Sequence, residues 1–171
     1  MRKILPLIVI ALCGAGLNVR AQAPAPIPTP GAPRPPARPA ELSYGAPITL
    51  EQARVVIAAA EAEAARRKVH ATLAVVEPSG ALVFYVKATD APYSAEEMAV
   101  KKARASARTR RPTSYDAERY AAGVTAITAV ENVFPFGGGQ PIVLQGRVVG
   151  GIGATGGADD DVARAGARAL Q

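Results

Sequence analysis

The sequence predicts an α/β chain of the α+β type, an antiparallel sheet covered by helices, in the order helix, hairpin, helix, helix, hairpin, helix. Two observations carry this. Apolar residues recur at helical intervals in several segments, and two pairs of β-rich runs are each joined by a tight turn that contains glycine. Hairpins pair antiparallel neighbours, so two of them separated by helices exclude a wholly parallel sheet.

The 171 residues divide into three stretches. Residues 1–21 read as a secretory signal peptide: Arg2 and Lys3 precede an apolar run from Ile4 to Leu17, and Val19 and Ala21 form the small pair at a cleavage site. Cleavage after Ala23 is the alternative and would leave Pro24 first. The leader is too short and too broken by Gly and Pro for a stable membrane span, so no membrane insertion is expected after cleavage. It carries the single cysteine, Cys13, which leaves the mature chain without a disulfide or a thiolate nucleophile. Its removal also lowers the formal net charge from +6 to about +3, which weakens any case for nucleic acid. Residues 22–47 are dense in proline and read as a disordered linker or polyproline spacer. Residues 48–171 suffice for one domain with one core, and the chain is expected to be secreted or periplasmic.

The domain opens with "TLEQARVVIAAAEAEAARRK". Thr49 and Gln52 have the capping-box spacing, and Leu50, Ala53, Val56, Ile57, Ala60 and Ala64 share one helical face. "VHATLAVVE" and "ALVFYVK" are strands joined by Pro78-Ser79-Gly80. A second helix spans Ser94 to Thr109, with Ser94 and Glu97 again at capping-box spacing and Pro112 beyond its end. "SYDAERYAAGVTAITAVEN" predicts a third helical stretch, with Tyr120, Val124, Ile127 and Val130 on one stripe and Gly123 as its weak point. "PIVL" and "RVVGGIGA" form the second hairpin around Gln145-Gly146, and "ADDDVARAGARAL" is a last helix whose acidic start suits the helix dipole.

Three features together resemble the GlcG/HbpS family over Ile48 to Leu170: the stretch "DAPYSAEEMAVKKARASARTRRPT", the stretch "FGGGQPIVLQGRVVGGIGATGG", and the acidic start of the last helix. The order of GGG-x-P, a tight glycine turn, a VVG-x-IG strand and a glycine loop running into an acidic helix is the specific part. The chain departs from many relatives at Glu77, where they carry Asp, and at Asp90-Ala91-Pro92, where they carry a D-G-A triplet. The resemblance implies a profilin-like fold, a haem or other small ligand, and assembly as a homo-oligomer rather than a defined enzyme. Some relatives bind haem, while others stand beside glycolate or diol metabolism.

The candidate site residues follow from asking which groups can hold haem. His70 is the only histidine and can supply an axial nitrogen to iron; the other reading is an ordinary half-exposed histidine at the start of a strand. The phenolate of Tyr93 is the alternative ligand. Lys101, Arg104, Arg108 and Arg111 share a helical face and can hold propionates, or form a solvated face near a helix C-terminus. Phe134 beside Phe136 can line a pocket. Gly137, Gly138, Gly139 and Gly153, with the loop from Gly153 to Gly157, have two readings: close approach of backbones, or amides presented to an anion. The second reading supports an alternative function, an enzyme or accessory protein acting on a small carboxylate through the glycine-rich loops. Small helical residues, among them Ala58, Ala59, Ala60, Ala103 and Ala107, allow close packing between subunits as well as within one.

Overall fold

The computed structural model describes residues 34–171. The expected signal peptide, and the linker through residue 33, lie outside the described residues. The chain forms β1 (Ser43–Tyr44), α1 (Leu50–Arg66), β2 (Thr72–Val76), β3 (Leu82–Val86), α2 (Ser94–Thr109), α3 (Thr113–Ala121), a 3-10 turn (Thr125–Ala129), β4 (Gly139–Leu144), β5 (Arg147–Thr155) and α4 (Asp159–Arg168). The expected order is therefore observed, with one added strand at its start.

β5 is the organising strand. It pairs antiparallel with β2, placing Val75 opposite Ile152, and with β4, placing Gln140 opposite Ile152. β2 pairs with β3 in the first hairpin, so β3 and β4 are the outer strands beyond β2 and β5. Side chains alternate along β2. Leu73 and Val75 join the larger core beneath α1 and α4, while Ala74 and Val76 pack against α2. Helices thus cover both faces, and β2 is buried along its whole length.

The linker boundary placed at Ile48 needs correction. Ser43 and Tyr44 pair in parallel with Arg147 and Val148, the Gly45 amide donates to Val148 O at 2.9 Å, and the Tyr44 hydroxyl donates to Arg108 O at 2.8 Å. Arg110 completes the attachment through Leu42 O at 2.7 Å and an ion pair with Glu41. The end of the proline-rich stretch is therefore part of the sheet, because the first residues of β5 extend past β2 and present an edge that β1 fills.

Local signals held where the backbone could use them. The Thr49–Gln52 capping box forms, and the stripe on α1 is buried except Leu50, which is exposed. At α2 the Ser94 cap does not form. Tyr93 is the preceding residue, already helical, and the Ala95 amide donates instead to Pro92 O. The third stretch does not run through. α3 ends before Gly123, which takes φ +88°, and the following turn buries Ile127 while Tyr120 and Val130 face solvent. The second hairpin turns on Gln145 and Gly146, both at positive φ as a type I′ turn requires. Arg110 also has positive φ, which carries Arg111 off the helical face that sequence spacing assigned to it and toward Asp116 at 3.0 Å.

The attachment of β1 makes a prediction. A chain that begins at Ala46 is expected to fold cooperatively but to be less stable than one that begins at Arg34, because several hydrogen bonds worth about 0.5–1.5 kcal/mol each are lost. Urea denaturation of the two purified chains tests this; equal midpoints refute the role of β1.

Candidate functional site

His70 stands in the short connection between α1 and β2, and three features hold it there. α1 closes with Lys68 at positive φ, and the amides of Lys68 and Val69 donate to Ala65 O and Ala64 O, which turns the chain sharply toward the sheet. Gly156 packs against the backbone of His70, where a Cβ would strike His70 O. Beyond the last pair of the hairpin, Leu73 with Val86, the chain leaves the ladder and a turn in which the Ala91 amide donates to Ala88 O carries Asp90 to the imidazole. His70 Nδ1 lies 2.9 Å from Asp90 Oδ2 and 3.0 Å from Oδ1. This hydrogen bond is the main reason that the Asp90 carboxyl is held below the usual carboxylate range.

Two cavities adjoin at this pair. The larger, of about 740 Å³, has an apolar wall from Ala64, Val69, Ala71 and Val86, with Lys68 and Lys87 adding cations. The smaller, of about 390 Å³, is lined by Pro92, Ala95, Thr155 and Gly156. His70 and Asp90 line both. Thr155 brings a hydroxyl oxygen that is buried without a hydrogen-bond partner among the described residues. Pockets for small molecules and cofactors typically enclose about 300–1,000 Å³ and combine apolar walls with a few polar groups.

The basic face of α2 is brought together with Phe134, but elsewhere. Lys101, Arg104, Arg108, Asn132 and Phe134 line a separate cavity of about 220 Å³, too small for a porphyrin by the same measure. Their charges are also engaged. Arg104 Nε donates to Gly80 O at 2.9 Å, Arg108 donates to Ser79 O and Asn132 Oδ1, and Lys101 pairs with Glu97 at 2.7 Å. The run therefore braces the β2–β3 turn and does not face His70. Tyr93 is almost fully exposed, lies under Lys87 at 5.0 Å from its ring centre, and lines neither cavity beside His70.

For the glycines, the close-approach reading replaces the anion reading. Cβ atoms on Gly151 and Gly153 would strike the carbonyl oxygens of Ala103 and Ala99, so these residues let α2 lie directly on β5. A Cβ on Gly139 would meet Lys102 O and Thr113, and its amide donates to Thr113 Oγ1 at 2.9 Å. The Gly138 amide donates to Asp160 Oδ1 at 2.8 Å, and a Cβ on Gly137 would meet the same carboxylate. The amides of Gly156 and Gly157 both donate to Asp159 Oδ1. The anions at this loop are the protein's own aspartates, which removes the basis for a small-carboxylate site there.

Asp159 also receives the buried cation of the domain. Lys102, 3% exposed on α2, reaches its Oδ2 at 2.7 Å and Ala154 O at 3.0 Å. Helical spacing in the sequence gives Lys102 no partner. Nor does the sequence single out Asp90, Lys68, Lys87 or Thr155. Asp90 arrives through the turn after β3, and the others are assembled by packing alone. Among the described residues no cluster of three or more His, Cys, Asp or Glu side chains is placed to hold a metal ion.

The family described as "Haem degrading protein HbpS-like" matches residues 48–169. Protein GlcG of Escherichia coli K12 is 30% identical over 108 residues, which span 63% of this chain and 81% of GlcG. The crystal structure of HbpS superposes with a TM-score of 0.67 at 31% identity, covering 80% of this chain and 99% of HbpS. A double mutant of Streptomyces reticuli HbpS gives 0.67 at 30% identity, covering 86% of this chain and 99% of its own. The PduOC–haem complex gives 0.64 at 23% identity over 73% of this chain and 96% of PduOC, a likeness of fold.

The Lys102–Asp159 pair predicts a large effect away from the cavities. Lys102→Ala is expected to cost about 3 kcal/mol, since it strands a part-buried carboxylate and an unpaired carbonyl. Chemical denaturation measures it, and a loss below about 1 kcal/mol refutes the role given to the pair.

Proposed function

The chain belongs to the HbpS-like family, and on that premise we propose that it is an exported protein that binds haem beside His70 and assembles as a homo-oligomer. The observation that carries the reading is a lone histidine, its Nδ1 engaged by a carboxylate, at the junction of two cavities. A neutral imidazole whose other nitrogen is hydrogen-bonded to a carboxylate is the usual form of a metal-ligating histidine.

The residues present fit the group. His70 Nε2 is the nitrogen left free, and it would hold the iron of a bound haem. The Ala and Val wall suits an apolar macrocycle, and Lys68 and Lys87 suit carboxylate substituents. Bound haem supplies an iron centre for one-electron and oxygen chemistry. The family's description as haem-degrading, and a haem complex on the same fold in PduOC, support haem as the ligand.

Of the small residues named for packing between subunits, Ala60, Ala103 and Ala107 are buried within the subunit, whereas Ala58 is exposed and Ala59 half-buried. Val55 and Leu82 are half-exposed, and β3 offers an unpaired edge among the described residues. Export rests on the composition of residues 1–21.

Haemin titration followed at the Soret band tests the ligand. Saturable binding is expected, weakened roughly tenfold or more in His70→Ala, because even about 1.4 kcal/mol of coordination is a factor of ten. No saturable binding by the wild type, or binding unchanged by His70→Ala, overturns the proposal. Light scattering on protein recovered from the exported fraction is expected to give more than one chain per particle, and intact mass a chain that lacks residues 1–21; a one-chain particle or a full-length mass refutes assembly or cleavage respectively.

A further inference from the structure

We infer that Asp90 is a positioning residue for His70: its carboxylate holds the imidazole in the tautomer that carries its proton on Nδ1, and so leaves Nε2 as the coordinating nitrogen. The inference rests on the reading of His70 as the haem ligand and deepens it. An ionised carboxylate only accepts hydrogen bonds, so the nitrogen within 2.9–3.0 Å of both its oxygens must be the donor. A neutral imidazole has one N–H, and placing it on Nδ1 frees the lone pair of Nε2.

Several features separate this contact from a chance surface pair. Asp90 is delivered by the turn that follows β3, closed by the Ala91 amide on Ala88 O, and Gly156 packs against the His70 backbone. Both residues line both cavities, so the contact lies at the junction where a ligand would meet the imidazole. The side chains are 73% and 66% exposed. Exposed pairs contribute little to folding, about 0–1 kcal/mol, so stability gives no reason for its construction. An anionic acceptor on Nδ1–H increases electron donation from Nε2, which favours ferric over ferrous iron and strengthens coordination.

Two variants separate the hydrogen bond from its charge. Asp90→Asn retains an acceptor and the shape while removing the charge; Asp90→Ala removes both. Neither is expected to change the melting temperature appreciably. In the ligand-free protein at alkaline pH, ¹⁵N NMR of the single histidine is expected to report Nδ1 protonation in the wild type and a shift toward Nε2 protonation in Asp90→Ala. In the haemin-loaded protein, Asp90→Asn is expected to raise the reduction potential, and Asp90→Ala to weaken haemin binding about 10–100-fold. An Nε2-protonated wild-type histidine, or affinity and potential unmoved in both variants, overturns the role of Asp90 while His70 remains the ligand. Haemin binding that survives His70→Ala overturns the reading of the site itself, so the two failures are distinguishable.

Discussion

The close seating of α2 on β5 is the constraint on which the rest of the structure depends. Gly151 and Gly153 carry no side chains toward the helix, and the helix meets them with alanines, so backbone lies against backbone. Such contact leaves no room for solvent, yet Lys102 lies in this layer. Its ammonium is accommodated because Ala154 O and Asp159 are both within hydrogen-bonding distance. Asp159 in turn gathers the amides of Gly156 and Gly157. One buried cation thereby joins α2, the end of β5, the glycine loop and the start of α4. The neighbouring aspartates extend the arrangement, Asp160 to Gly138 and Asp161 to Arg67 at the end of α1.

The candidate site is a consequence of that arrangement. Once Asp159 sets the loop, Gly156 presses against the backbone of His70, while the end of α1 and the hairpin bring Lys68, Lys87 and Asp90 around it. The loop that resembled an anion cradle is a support for the histidine. The cations beside His70 come from just past α1 and β3, not from the α2 run, whose arginines grip the carbonyls of the first hairpin turn. A charge run on a helix is visible in any sequence, but whether its members face a cavity or a neighbouring carbonyl depends on what packs beside the helix.

Local structure was legible wherever a few adjacent residues decide the outcome. The α1 stripe and its capping box, both hairpins, the extent of α2 and the acidic start of α4 are all set within about one turn of the chain. The misreadings have a common origin. Ser94 had the right spacing for a cap, but the chain enters α2 already helical at Tyr93. The stripe through Tyr120 to Val130 assumed a continuous helix, and Gly123 breaks it by taking a left-handed conformation. β1 was hidden inside a proline-rich stretch, because its partner lies about a hundred residues away in β5.

By itself the sequence determined the class of fold, the two hairpins, the single histidine and the family, since periodicity, turn residues and residue inventory are properties of the chain in order. The tertiary structure alone decided which glycine amides are already occupied, where Lys102 finds its anion and which cations surround His70. Asp90 marks the boundary between the two. Its identity is plain in the sequence, but its partnership with a histidine twenty residues earlier exists only because antiparallel pairing folds β3 back along β2. Contacts of that kind are set by register and packing, and neither acts until distant segments share one sheet.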